Sequence, residues 1–120
     1  MPFLDISTNV SKDKVTNDFL KKATEKMAAA LSKDPKVCVV RLQCDASMTR
    51  NGVNTPFAIV QLQSIGFAKT PHEITELLGP FFCEALGIPD DGYYIFFNDF
   101  TYENVGYNHK SFRKFLDSKK

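Results

Sequence analysis

The chain passes through strand, helix and strand, and then repeats that order about 55 residues further on. Residues 3–8 alternate Leu4 and Ile6 on one face, as a half-buried strand does. Over 11–33 the period becomes helical: Val15, Phe19, Ala23, Met27 and Leu31 recur every four residues, opposite Lys21, Lys22, Glu25 and Lys26. Pro35 disfavours helical geometry at Asp34, so the helix ends near Lys33. Residues 37–42 then form a β-branched strand. Asn51-Gly52 marks a turn within a polar stretch, and a third strand covers 57–65. Thr70, Pro71 and Glu73 are an N-cap, a first-turn proline and a capping-box partner. Ile74, Leu77, Leu78, Phe81, Ala85 and Leu86 supply the stripe of this second helix, which Gly87 and Pro89 end. Pro80 removes one helical hydrogen bond and predicts a kink or a shifted boundary. A fourth strand covers 93–98.

Parallel strands joined by a crossover helix are right-handed, so each half reads as a βαβ unit. The fold class is α/β: two such units, about 2–44 and 57–98, form a four-stranded mixed sheet with both helices on one face. One domain of 1–120 accounts for the whole length. The second sheet face, read as lined by Phe57, Ile59 and Phe97 or their neighbours, has nothing left in the chain to cover it. Eleven Phe and four Tyr add to that apolar load, and an oligomer is the expected remedy.

Several function classes drop out on composition. A net charge of +1 gives no overall pull toward nucleic acid or an anionic membrane. No apolar run approaches the roughly 20 residues that span a bilayer. The first residues lack the basic start and apolar stretch of a signal peptide, so a cytoplasmic location is the default. Cys38, Cys44 and Cys83 are an odd number without metal-ligand spacing, which argues against a disulfide scaffold or a zinc site; no cofactor is implied. His72 reads as a solvated ring in a helix's first turn, and Asp90-Asp91 as serving the turn at Gly92.

Pro2 is the one position with unusual chemistry. Removal of Met1 before a small residue leaves a free secondary amine, the only imino base a polypeptide presents. Burial and a neighbouring lysine would lower its pKa toward the range a general base needs.

From Met1-Pro2-Phe3-Leu4-x-Ile6-x-Thr8-Asn9-Val10 the chain resembles the macrophage migration inhibitory factor and D-dopachrome tautomerase family. Lys33-x-Pro35, Ser64-Ile65-Gly66, Pro89-Asp90 with Tyr94-Ile95, and Asn104-Val105-Gly106 follow in order, to about Phe112. The resemblance implies a homotrimer whose three sheets wrap into a barrel, with an active site at each subunit interface. Pro2 would be the catalytic base moving a proton between carbon and oxygen of a small aromatic enol or keto acid, of phenylpyruvate or dopachrome type. Lys33 would lower the Pro2 pKa and hold the substrate's carboxylate. Ser64 and the Ile65 backbone would line the pocket, Tyr94 would come from the neighbouring subunit, and Val105, Tyr107 and Phe112 would form the apolar wall. The family also implies cytoplasmic protein that is secreted without a signal peptide, and a cell-surface receptor resembling the class II invariant chain. A cytokine-like ligand with a vestigial pocket is the alternative reading.

Departures from the pattern bear on activity. Phe96 stands where the inhibitory factor has an amide that reaches the substrate carbonyl. Gln63 replaces a histidine, Val37 replaces a pocket-edge aromatic, and Phe57-Ala58-Ile59-Val60 replaces a CxxC. The basic stretch 110–120 reads as a solvated tail, with a short amphipathic helix as its alternative.

Overall fold

The computed structural model describes residues 1–119. Six main elements follow the expected order: β1 (Phe3–Thr8), α1 (Phe19–Leu31), β2 (Val39–Gln43), β3 (Ala58–Ser64), α2 (Pro71–Leu86) and β4 (Tyr93–Asp99). The sheet order is β2-β1-β3-β4. Within each half the strands are parallel, β1 with β2 and β3 with β4, while β1 and β3 join the halves antiparallel. The sheet is therefore mixed, as the two βαβ units require. Leu4, Ile6, Val60 and Leu62 of the inner strands meet Ala23, Met27 and Leu31 of α1 and Ile74, Leu78 and Phe82 of α2 in one core.

The first helix is shorter than its periodicity suggests. Lys12–Lys14 form a single 3-10 turn, Val15 is extended, and α1 starts only at Phe19. The cause is local: Thr16 donates to the Asp18 carboxylate at 2.7 Å, and such side-chain bonds compete with helix in a Thr-Asn-Asp run. Pro35–Val37 is likewise a 3-10 turn capped by the Asp34 carboxylate, so the second strand begins two residues later than read.

The second helix behaves as its caps dictate. Thr70 and Glu73 form the complete capping box, and Gly87 ends the helix at φ 67°. Pro80 lies inside α2 without shifting its boundary; both Pro80 and Glu76, whose carbonyl loses its donor, are exposed to water. Beside it Gly79 is required by contact, because a Cβ there would fall on the Tyr93 hydroxyl.

The open sheet face differs from the expectation. Phe57 keeps to the side of Tyr94, with ring centroids 5.2 Å apart and Arg50 over its ring, and is only 5% exposed. Phe97 instead turns to the helix side against Phe67, ring centroids 5.7 Å apart. Strand alternation puts Phe96 and Tyr94 outward instead. Register arranges that face in three rows: Val39–Phe3–Gln63–Asn98, Arg41–Asp5–Gln61–Phe96, and Gln43–Ser7–Ile59–Tyr94. Seven of these twelve residues are polar or charged, and Arg41 grips Asp5 through two bonds of 2.9 and 2.7 Å. Such a face tolerates water, so its composition alone does not demand an apolar partner sheet.

The C-terminal stretch is structured, which corrects the solvated-tail reading in favour of its helical alternative. A 3-10 turn (Tyr102–Asn104), a small hairpin of β5 (Gly106–Tyr107) and β6 (Lys110–Ser111), and α3 (Phe112–Asp117) pack on one another. Ser111 caps α3. Tyr107 sits 4.9 Å from Phe115 and 5.6 Å from Phe112 between ring centroids, and Lys119 lies over Phe115. Lys120 lies outside the described residues. No helix among the described residues is long and apolar enough to cross a membrane.

Candidate functional site

The first residues of β1 bring the candidate base into a row of three side chains. Val39 N–H donates to the Pro2 carbonyl at 3.0 Å, and Phe3 pairs with both Val39 and Gln63. One step back along that register, Pro2 falls between Cys38 on the β2 side and Ser64 on the β3 side. Alternation turns all three toward the helices. Pro2 is fully buried, and Ser64 is 1% exposed with its hydroxyl bonded to no group among the described residues. Ile65, also buried, follows at once.

Lys33 reaches this row through the end of α1. Ser32 adopts φ 55°, and Lys33 N–H donates back to Ala28 O at 2.9 Å, the six-to-one bond that closes a helix C-terminus. Lys69 fixes the turn by donating to Ala30 O at 2.9 Å and to Ser32 Oγ at 3.2 Å. The Lys33 charge is felt at the chain's amine: burial first, and Lys33 second, push the N-terminal amine below its ordinary pKa. Here that amine belongs to Met1, so the Pro2 nitrogen is an amide and carries no basic lone pair.

The Ser64-Ile65-Gly66 turn is pinned from β4. Phe100 N–H donates to Ser64 O at 2.8 Å, and Asp99 accepts Gly66 N–H at 2.9 Å, with Gly66 at φ 78°. The C-terminal unit starts two residues after Phe100, so it leaves the sheet at the Pro2 end. Val105, Tyr107 and Phe112 are gathered within that unit, with Phe112 N–H bonded to Val105 O at 2.7 Å.

Tyr94 and Phe96 are not brought to Pro2 within one chain. Tyr94 pairs with Ile59, and Ile59 lies five residues from Ser64, about 17 Å along the strand. Both rings also stand on the opposite sheet face, each 52% exposed. A site that uses them with Pro2 needs a second copy of the chain.

Two positions were passed over in the sequence. Cys38 reads as one more strand residue until the register sets it beside Pro2. Asp99 has no motif; only its bond to Gly66 reveals it. His72 stands exposed and paired with Glu76 at 3.2 Å, as its surface reading requires. A groove of about 740 Å³ opens elsewhere, between α1 and α2, over Phe19, Ala29 and Phe81. It contains none of the Pro2 row, and Lys14, Lys22, Lys26, Glu25 and Glu84 line it with charges of both signs.

Two parallel βαβ halves joined antiparallel at their first strands define the class: a small α/β domain built of two like units. The macrophage migration inhibitory factor (MIF) family model matches residues 1–113, and the chain belongs to that family. It is 32% identical over 114 residues to the mouse macrophage migration inhibitory factor, covering 93% of this chain and 99% of the relative. To the Brugia malayi homologue it is 30% identical, with the same coverage. Among solved structures, the Trichinella spiralis factor superposes with TM-score 0.86 at 27% identity, covering 92% of this chain and 99% of the other. The Prochlorococcus marinus homologue gives TM-score 0.82 at 32% identity, over 92% and 98%.

Proposed function

We propose that the chain is a keto-enol tautomerase acting on small aromatic keto acids of phenylpyruvate or dopachrome type. The carrying observation is the setting of position 2: a fully buried proline beside an amine whose pKa burial and Lys33 both lower. Removal of Met1 converts the Pro2 nitrogen into that amine. As a free base it takes the proton from the carbon next to the substrate's ketone, while the carbonyl oxygen gains a proton to give the enol; the reverse steps regenerate the ketone. Lys33 holds the carboxylate, and Ser64 and Ile65 line the pocket wall with Val105, Tyr107 and Phe112. The active form is a homotrimer, in which Tyr94 and Phe96 of a neighbour close the pocket. No cofactor or metal takes part.

A second reading rests on Phe96. A phenyl ring cannot donate to a substrate carbonyl, and this favours a cytokine-like ligand, secreted without a signal peptide, that engages a receptor resembling the class II invariant chain. The deciding experiment is phenylpyruvate tautomerisation by protein whose intact mass shows Met1 removed. Activity that Pro2→Gly abolishes, in a variant still trimeric by sedimentation, supports the enzyme. Inactivity with a free N-terminus moves the assignment to the signalling role.

A further inference from the structure

We propose that Cys38 is a covalent capture site for α,β-unsaturated aromatic carbonyl acids entering the Pro2 pocket. The inference rests on reading that pocket as a keto-acid site, and adds a chemistry that tautomerisation does not use. The row Cys38–Pro2–Ser64 sets a thiol and a hydroxyl on either side of position 2, on one face of the sheet. Cys38 is half-buried, and Sγ–H makes one long contact, donating to Asp34 O at 3.4 Å. Ser64 Oγ, nearly inaccessible and without a partner among the described residues, is a polar atom whose burial is costly until a ligand oxygen meets it. Lys33 adds a cation. Cation, hydroxyl and thiol together match a carboxylate, a carbonyl oxygen and an electrophilic carbon on one small molecule.

The reaction is an addition. The Cys38 sulfur forms a bond to the carbon β to the ketone, and the C=C pair shifts to the α-carbon through the enolate. The thiol's proton ends on that α-carbon. Nothing leaves, and no outside oxidant or reductant is needed.

Selectivity comes from residence in the pocket. Burial pushes the Cys38 thiol up in pKa; the chain's amine and Lys33 pull it down, and Asp34 again raises it. A thiol with little thiolate reacts slowly with a reagent in free solution, so only an electrophile held beside it gains from proximity. The other two cysteines serve as internal controls. Cys83 donates to Pro89 O at 3.4 Å near Asp90, and Cys44 lies near Lys12 and Asp45; neither borders an unpartnered buried hydroxyl.

The test uses the full chain with Met1 removed, trans-3-benzoylacrylate as probe, and peptide mapping by mass spectrometry. Cys38 is expected to be labelled at least about tenfold faster than Cys44 or Cys83. The saturated analogue 3-benzoylpropanoate should slow that labelling, and Ser64→Ala should slow it severalfold. Cys38→Ala should carry no early label. Equal labelling of the three thiols, label on the N-terminal amine in place of Cys38, or labelling that the saturated analogue leaves unchanged would overturn the proposal. Phenylpyruvate tautomerisation is measured separately on unlabelled protein. Selective labelling without tautomerisation rejects Pro2 as base and keeps Cys38; tautomerisation without selective labelling does the reverse.

Discussion

The Asp99 carboxylate accepts the Gly66 N–H at 2.9 Å, tying the end of β4 to the turn that follows β3. That bond holds Ser64 and Ile65 against the row containing Pro2. Asp99→Ala should cost about 1 kcal/mol in stability, a typical net value for one such bond. It should also lower kcat/KM by more than any loss of folded protein explains. Asp99→Asn keeps an acceptor oxygen and should restore most of both. Denaturant titration beside steady-state kinetics checks this, and equal damage from the two variants would place the role in the charge instead.

Gly79 offers a test of the packing that carries β4. Glycine to alanine inside a helix normally stabilises by about 1 kcal/mol. Here the added Cβ meets the Tyr93 hydroxyl and lies 2.9 Å from its ring carbon Cζ. Gly79→Ala should therefore destabilise, by about 1–3 kcal/mol. Tyr93→Phe in the same chain should recover part of that loss, because the hydroxyl goes while the ring stays. Thermal unfolding of the four proteins in the cycle measures the coupling; additive losses would mean the two residues do not meet.

Lys33 gives a prediction in pH. The Met1 amine is held below its ordinary pKa by burial first and by Lys33 second, and once Met1 is removed the Pro2 amine next to it is expected to feel the same two causes. A base works when unprotonated, so kcat/KM should rise with pH through that amine's pKa. Lys33→Gln removes the second cause, and the rising limb should move to higher pH. Stability follows the same sign. Between the lowered and the ordinary pKa the unfolded chain binds the extra proton, so folding gains as pH rises through that window. The gain should be smaller in Lys33→Gln. A pH-rate profile that does not move would exclude Lys33 from the amine's surroundings.

The order of the six main elements was readable because hydrophobic period and caps agree there. Thr70-x-x-Glu73 and Gly87 give both ends of α2 to the residue. The start of α1 was not readable, since Val15 keeps the four-residue spacing while Thr16 bonds to Asp18 and delays the helix. The open face was not readable at Phe97 because a run of consecutive apolar residues, Tyr93 to Phe97, fixes no side until strand phase is known. For the candidate site, Pro2 stands out by its chemistry, whereas Lys33 and Ser64 come only through the resemblance to the family. Cys38 and Asp99 were not legible, because their importance lies in cross-strand neighbours far away in sequence.

Phe96→Asn tests the substrate end. If residue 96 of a neighbouring copy faces the substrate carbonyl, an amide there supplies a donor that phenyl lacks. One such bond is worth about 1 kcal/mol net, so kcat/KM on phenylpyruvate should rise severalfold to about tenfold. No change would mean the carbonyl is oriented by other groups, with Ser64 the first to examine.

The separation of Tyr94 from Pro2 permits a sharper experiment. The two lie about 17 Å apart along the strands and on opposite faces, so no single chain can join them in one pocket. Pro2→Gly and Tyr94→Ala should each be inactive or weak as pure proteins. Mixed, denatured and refolded together in equal amounts, they form trimers in which a Pro2-bearing subunit can sit beside a Tyr94-bearing one. With random assembly about a quarter of the interfaces combine both intact residues, and about a quarter of wild-type activity should return. Activity that stays at the mean of the two parents, in a mixture shown by mass to contain hybrid trimers, would place the whole site within one chain and remove Tyr94 from it.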